Sequence, residues 1–208
     1  MTLEIQYQES YSRGQLLLRT FFGLIYIVLP HLFVLMFLGI WSAILGFISW
    51  WAIMFTGRYP QSFYEFQVGL MRWQLRVNAR LFDVSDGYPP FSLNGDDPYV
   101  TFEVEYPEQI SRGLTLVRTF FGWLYVGLPH GFILYFLAIG VIVVNFINFW
   151  VVLFTGKMPD TFHKFIVGYL RWSTRVSLYL SNMTDTYPPF NLDPDKDDTI
   201  AGAAQEDN

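Results

Sequence analysis

The dominant feature of the hydrophobic pattern is an apolar run at residues 16–56, in which Arg19 is the only charged residue. A straight helix over this run would be about 60 Å long at about 1.5 Å per residue. The hydrocarbon core of a bilayer is only about 30 Å thick. The run is therefore too long for one perpendicular crossing and too apolar for water. We predict that it folds into a transmembrane helical hairpin with its turn near residues 39–42.

The same pattern recurs ninety-nine positions later in the chain. Residues 3–93 align with residues 102–192 without a gap, and about half of the aligned positions are identical. This internal repeat predicts a second hairpin with its turn near residues 138–141. We divide the chain into a first repeat at 1–97, a second repeat at 98–192 and a tail at 193–208. The tail is acidic and poor in apolar residues, which is typical of disorder.

Shorter patterns surround each apolar run, and each has a counterpart in the second repeat. Residues 3–7 alternate between apolar and polar side chains, which predicts a β-strand. An open sheet edge is not tolerated in lipid, so we expect the two strands outside the bilayer, paired with each other. Residues 62–82 carry apolar side chains at three-and-four spacing, which predicts an amphipathic helix. The motif YPPF at 88–91 then ends that helix and returns to the fold.

These patterns together predict an all-α membrane protein with short extramembrane β-strands. Each tandem repeat would contain a transmembrane helical hairpin and an amphipathic interfacial helix. An alternative places a break at Pro30 and His31, so that only residues 32–56 cross the membrane. Basic residues flank both ends of each apolar run, and such residues favour the cytoplasmic side. This favours the hairpin, with four crossings and cytoplasmic termini.

Composition narrows the classes of function. Hydrophobic residues make up 52% of the chain and charged residues 15%, below the roughly 25% charged residues of soluble domains. Cysteine is absent, which excludes disulfides and cysteine-based sites. No basic domain or nucleic-acid-binding motif is present. We therefore expect the lipid bilayer and other membrane proteins as partners, and no nucleic acid.

Basic side chains run beside the apolar face of each amphipathic helix. In the first repeat they recur every four residues and stand next to Trp73. Arginines beside aromatic side chains suit a membrane interface, where anionic headgroups attract them. Pairing with acidic residues at the helix ends is the alternative. The predicted headgroup contacts are Arg72, Arg76, Arg80, Arg171 and Arg175.

Four polar side chains within the apolar runs are further candidates: His31, His130, Asn145 and Asn148. Two histidines at equivalent positions could ligate haem iron or a metal through imidazole nitrogen. Each follows a proline, however, which favours a structural role such as a hydrogen bond to a carbonyl that the proline leaves free. We predict that neither histidine holds a cofactor. The two asparagines, three residues apart, suit hydrogen bonds between helices.

The combined motifs resemble the DUF4389 family of bacterial membrane proteins. The pattern reads LPH at 29–31, FTGRYP at 55–60, VGLMRWQLRVN at 68–78 and DGYPPF at 86–91. It recurs in the second repeat, where Lys157 and Met158 replace Arg and Tyr, and Ser177 replaces Asn. The resemblance covers both repeats and implies a protein of the bacterial inner membrane. It implies no activity.

No arrangement of residues points to catalysis. The sequence has no serine–histidine–acid spacing, glycine-rich phosphate loop or HExxH motif. Its carboxylates form no paired site. We expect a non-enzymatic scaffold or accessory subunit of a membrane complex. The alternatives are a membrane-shaping hairpin protein that interacts with lipid, and a small transporter or haem-binding membrane protein.

Overall fold

The computed structural model describes residues 1–94 and 97–194 and has the same elements in each repeat. The predicted disordered tail at 193–208 lies outside the described residues from position 195 onward. The first repeat consists of strand β1 (Thr2–Ile5), a 44-residue helix α1 (Arg13–Thr56) and helix α2 (Gln61–Leu81). The second repeat consists of strand β2 (Val100–Glu103), a 44-residue helix α3 (Arg112–Thr155) and helix α4 (Asp160–Leu180).

The predicted hairpins are wrong, because α1 and α3 run without a break. Residues 39–42 and 138–141, where turns were predicted, lie inside α-helical stretches Leu29–Thr56 and Leu128–Thr155. Neither segment contains a proline or a run of polar residues that would stop a helix. The alternative break at Pro30 is also absent. That proline instead follows a single π-helical turn, Leu24–Val28, through which the helix continues.

Capping residues set the ends of the long helices α1 and α3. The Ser12 hydroxyl accepts a hydrogen bond from the Gln15 N–H and caps the start of α1. Gly57 ends α1 in the left-handed conformation, with φ of 72°, and its N–H bonds to the Ile53 carbonyl. Glycine adopts this conformation without steric cost.

Helices α2 and α4 confirm the predicted amphipathic helices, but the structure places them in the protein core. Most of α2 is buried, and its exposed side chains are Gln61, Ser62, Glu65 and Gln74. Helix α2 turns back along α1, since its Gln67 lies beside Ser42. A helix covered on several sides by its own chain has no wide face left for an interface.

The predicted pairing of the two strands is confirmed. Strands β1 and β2 form an antiparallel two-stranded sheet in which Leu3 lies opposite Phe102. These two residues occupy equivalent positions in the two repeats, ninety-nine residues apart. A pseudo-two-fold axis that exchanges the repeats therefore passes through this residue pair.

The long helices pack antiparallel, so that the start of each meets the end of the other. The Arg13 guanidinium donates to the Phe154 carbonyl, and the Arg112 guanidinium donates to the Phe55 carbonyl, each at 3.0 Å. Backbone hydrogen bonds show the same reciprocity. The Tyr11 N–H bonds to the Gly156 carbonyl after α3, and the equivalent N–H before α3 bonds to the carbonyl of the glycine after α1, each at 2.8 Å. The two-fold axis therefore runs perpendicular to both long helices.

The main hydrophobic core lies where the sheet, α2, α4 and the long helices meet. Leu3 and Phe102 from the strands pack there with Ile53, Val152 and Ile166 from the helices. Two smaller clusters lie beside the π-helical turns, one in each repeat. The sheet and the short helices thus cover one side of each long helix.

Candidate membrane-binding surface and histidine clusters

The uncovered side of α1 is apolar along almost its whole length. We call the exposed side chains between Leu17 and Phe55 the apolar face of α1. The polar exception is Thr20, whose hydroxyl donates to the Leu16 carbonyl at 2.9 Å and is thereby satisfied. The bulkiest members of the face are Phe21, Phe22, Phe33, Phe37, Trp41, Phe47, Trp51 and Phe55.

The second repeat has the same face. The apolar face of α3 consists of the exposed side chains between Leu116 and Phe154, with Thr119 and Tyr135 as its polar members. The Thr119 hydroxyl donates to the Thr115 carbonyl at 2.8 Å and accepts a hydrogen bond from the Trp50 indole. Neither face exposes a charged side chain. The two faces are therefore equivalent in chemistry as well as in position.

Both long helices are long and apolar enough to cross a membrane. In each, only 17% of the most apolar 18-residue window is buried. The core helix of a soluble protein would instead have most of its apolar side chains covered. Exposed apolar patches of this extent mark an interaction surface. These two helices suggest association with a membrane.

The π-helical turn in α1 follows from Pro30. Proline has no N–H, so the Tyr26 carbonyl four residues earlier loses its α-helical donor. The chain widens into the π-helical turn, and the Leu29 N–H bonds to the Leu24 carbonyl. The hydroxyl of Tyr88, from the YPPF motif, donates to the Tyr26 carbonyl at 2.9 Å.

In the second repeat a proline also leaves a carbonyl without its α-helical donor, and a tyrosine hydroxyl again binds that carbonyl. Pro129 removes the α-helical donor to the Tyr125 carbonyl. The Tyr187 hydroxyl donates to that carbonyl at 3.2 Å. A hydrogen bond to these freed carbonyls was one structural role considered for the histidines, but the tyrosines of the YPPF motifs make that bond instead.

His31 and His130 each lie buried in an aromatic cluster of their own repeat. The Trp73 indole donates to His31 Nδ1 at 2.8 Å, and the imidazole stacks on Phe91 with ring centres 4.0 Å apart. Trp172 donates to His130 Nδ1 at 2.9 Å in the same arrangement. Because Nδ1 accepts a hydrogen bond, the ring proton sits on Nε2 and the imidazole is neutral. Each histidine thus connects its long helix to its short helix and YPPF motif.

A metal would bind the unprotonated nitrogen of the imidazole, and in both histidines that nitrogen, Nδ1, already accepts a hydrogen bond. His130 Nε2 also lies 3.1 Å from the Tyr187 hydroxyl, which leaves both of its nitrogens with neighbours. His31 belongs to a separate cluster and does not share a site with His130. Among the described residues, no group of three or more histidine, aspartate or glutamate side chains could hold a metal ion. That neither histidine carries a cofactor stays a prediction.

Asn145 and Asn148 lie in α3 without the predicted hydrogen bonds between helices. Asn148 is fully buried, and neither its Oδ1 nor its Nδ2 has a hydrogen-bond partner in the described chain. The Oδ1 of Asn145 also has none. The equivalent positions in the first repeat are Gly46 and Ser49. The pair marks a polar difference between the two long helices.

The predicted headgroup contacts are buried or half-buried: Arg72, Arg76, Arg80, Arg171 and Arg175. Arg72 and Arg171 donate to strand carbonyls of the opposite repeat, each at 3.0 Å. Arg80 forms an ion pair with Asp97 at 2.7 Å. Arg76 and Arg175 donate to backbone carbonyls that follow the YPPF motifs. This placement favours a role inside the fold, and the headgroup contacts stay a prediction.

A buried ion-pair cluster, which the sequence analysis missed, holds the start of α1. Arg19 Nε lies 2.7 Å from Asp83, and Arg19 Nη2 lies 3.1 Å from Asp86. The Asp86 carboxylate also accepts the Ser12 N–H at 2.7 Å. Burial raises the pKa of Asp83 to about 6, although the Arg19 guanidinium opposes the shift.

The second repeat keeps this cluster with one carboxylate fewer. Arg118 pairs with Asp185 and also donates to Asn182 Oδ1 at 3.3 Å. Asn182 is the counterpart of Asp83, and both take positive φ, 57° and 53°. Asparagine and aspartate tolerate this conformation better than other side chains. One sequence signal could have predicted this cluster. The arginine recurs in both repeats, and so does the aspartate that begins each DGYPPF-like motif.

A family model described as a domain of unknown function, DUF4389, matches residues 15–92 and 116–191. The match covers more than half of the chain, which belongs to the DUF4389 family and contains two tandem copies of the domain. Comparisons with curated proteins and with solved structures gave no match. The function therefore has to be argued from the surfaces described above.

Proposed function

We propose that this protein is a membrane-embedded, non-enzymatic scaffold or accessory subunit of a membrane complex. The observation that supports this most is the pair of apolar faces on α1 and α3. Each large apolar side chain moved from water into an apolar environment contributes about 1.5–3 kcal/mol. Faces with this many aromatic and aliphatic side chains favour lipid strongly over water. Lipid and other membrane proteins are the proposed partners.

The proposed location is the bacterial inner membrane, with both termini in the cytoplasm. Arg13, Arg58, Arg112 and Lys157 are exposed at the ends of the long helices, and basic residues next to membrane segments favour the cytoplasmic side. Four crossings are no longer part of the proposal. They required a turn within each apolar run, and a continuous helix cannot cross twice.

The second candidate is membrane shaping, which the uncovered faces favour because helices that enter lipid add area to it. A transporter or haem protein has less support. Nδ1 of each histidine already accepts a hydrogen bond from a tryptophan, and the apolar faces expose no charged side chain to line a polar pathway.

Membrane fractionation tests the proposed association. We expect the full chain in the membrane pellet after washes with high salt and alkaline carbonate, because both remove proteins held by charge. Exchanging two exposed residues on the apolar faces, Met36→Glu with Tyr135→Glu, should weaken retention. The control Gln74→Glu adds a charge at an exposed position on α2 and should change nothing. Full chain recovered in the soluble fraction would contradict the proposal.

Purification in mild detergent tests the scaffold role. A scaffold or accessory subunit should leave native membranes with another membrane protein in fixed stoichiometry. A chain that always leaves alone, and that tubulates vesicles when reconstituted, would overturn the scaffold role and favour membrane shaping.

A further inference from the structure

We propose that the two long helices lie along the membrane within one leaflet, rather than across it. This inference rests on the proposed membrane association and specifies the partner of the apolar faces, namely the acyl chains of a single leaflet. Four features of the fold support it: the length of the faces, the symmetry, the position of the sheet and the placement of charge.

The apolar faces are too long for a crossing. From Leu17 to Phe55 the face extends about 57 Å at about 1.5 Å per residue, against a hydrocarbon core of about 30 Å. A helix crossing upright would leave nearly half of this face in water. To keep all of it in lipid, the helix would need a tilt of about 60°, beyond the roughly 0–40° seen for spanning helices. Helices that lie along the membrane keep the whole face in lipid.

The symmetry brings both faces to the same side. The two-fold axis exchanges α1 and α3 and runs perpendicular to them, as the reciprocal contacts at Arg13 and Arg112 require. If the helices lie in the plane of the membrane, this axis stands along the membrane normal. Both apolar faces then enter lipid at the same depth.

The sheet excludes a crossing more directly. Arg72 of α2 donates to the Phe102 carbonyl of β2, and the next residue, Trp73, bonds to His31 near the middle of α1. The sheet therefore sits level with the middle of the long helices. Crossing helices would carry it to the centre of the bilayer, together with the exposed side chain of Glu103. Open strand edges and unpaired carboxylates are both strongly disfavoured there.

Exposed charges lie where an in-plane arrangement needs them. Arg58 follows the end of α1, and Lys157 follows the end of α3, so these two bases stand at opposite ends of the antiparallel pair. Lying in the plane, both reach the headgroups of the same leaflet by extending their side chains. Glu65, which is exposed on α2 alongside α1, then remains in water. A crossing would instead draw this carboxylate toward the lipid.

An in-plane pair also occupies area in one leaflet. Two faces about 57 Å long on helices about 10 Å wide cover roughly 1,100 Å². Added to one leaflet only, this area favours curvature toward that leaflet. The arrangement therefore supplies what the membrane-shaping candidate requires.

Cysteine labelling with a membrane-impermeant maleimide tests the inference, because the full chain contains no cysteine of its own. Four single variants are made at exposed positions: Arg58→Cys and Lys157→Cys at the two ends, Thr101→Cys on the sheet and Met36→Cys on the apolar face. Each is labelled in right-side-out and in inverted membrane vesicles, and again after detergent is added.

We expect Arg58→Cys, Lys157→Cys and Thr101→Cys to react from the same side of the membrane. Met36→Cys should react only after detergent is added. Reaction of the two end variants from opposite sides would overturn the in-plane arrangement and leave membrane association intact. Recovery of the chain in the soluble fraction, with Met36→Cys reactive without detergent, would instead overturn the proposed function itself.

Discussion

Removing the Tyr88 hydroxyl should destabilise the first repeat because the Tyr26 carbonyl then loses the hydrogen bond from that hydroxyl. The hydroxyl donates to that carbonyl at 2.9 Å, and Pro30 cannot supply the N–H that an α-helix would use. In Tyr88→Phe the aromatic packing is kept and the hydrogen bond is lost. Pro30→Ala restores a backbone N–H at the position from which an α-helix would serve the Tyr26 carbonyl.

The size of the effect follows from the environment of the bond. A hydrogen bond contributes about 0.5–1.5 kcal/mol, and an unsatisfied buried carbonyl costs about 1–3 kcal/mol. Tyr88 is 44% exposed, which lowers the cost, so we expect Tyr88→Phe to lose about 1–2 kcal/mol. For a chain of this size that is a fall of about 2–8 °C in melting temperature. In the Pro30→Ala background the loss should shrink to less than half.

Thermal unfolding of the full chain in mild detergent, followed by near-ultraviolet circular dichroism, measures the four combinations of Tyr88→Phe and Pro30→Ala. Tyr135→Phe is the control, because its hydroxyl is exposed on the apolar face of α3; its effect should stay within about 0.5 kcal/mol. If Tyr88→Phe costs no more than the control, or if Pro30→Ala leaves its cost unchanged, the explanation of the π-helical turn is refuted.

Two further predictions use one repeat as the template for the other. Burial lowers the pKa of His163 to about 4, so its contribution to stability, about 3 kcal/mol, is present above pH 6.5 and lost as the pH falls toward 4. The variant His163→Tyr, which copies Tyr64, should remove this loss of stability in thermal melts recorded at different pH values. A variant that loses as much stability at low pH as the original chain would contradict the assignment. Burial raises the pKa of Asp83, so its contribution is present below pH 4 and is lost as the pH rises through 6. Asp83→Asn, which copies Asn182, should stabilise the chain more at pH 8 than at pH 5, in each case relative to the original chain. If the variant is instead less stable than the original chain at pH 8, the charged pair with Arg19 is net stabilising.

The sequence predicted the local elements well because their signals are local. The repeat, the pairing of the strands and the amphipathic helices all follow from spacing and residue type. The YPPF motifs were also expected to return to the fold, and the aromatic rings of Tyr88 and Phe91 pack beside His31 as that requires.

The sequence did not determine how the long helices are oriented relative to the membrane. The length of the apolar run allowed three answers: a bend, a crossing and a helix lying along the membrane. The hairpin prediction weighed the first two and omitted the third. Nothing in residues 39–42 favours a turn, and the contacts that hold α1 in place lie far away in the sequence. Arg19, for example, pairs with Asp83 and Asp86, more than sixty positions later.

The surroundings of the basic side chains could not be read from the sequence for a related reason. Helical spacing shows which side chains share a face, but not what covers that face. The stripe that includes Arg76 and Arg80 has the spacing of a membrane-surface helix, yet strands and the segments after the YPPF motifs cover it. The carbonyls of these segments and the Asp97 carboxylate bind the arginines within the fold.

Oriented circular dichroism of the full chain in stacked bilayers tests the central claim most directly. Helices α2 and α4 turn back along α1 and α3, so in the in-plane arrangement all four helices run along the membrane and contribute with the same sign. The long helices along the membrane predict a strong negative band near 208 nm with light incident along the membrane normal. Loss of that band, as for helices that stand along the normal, would contradict the in-plane arrangement.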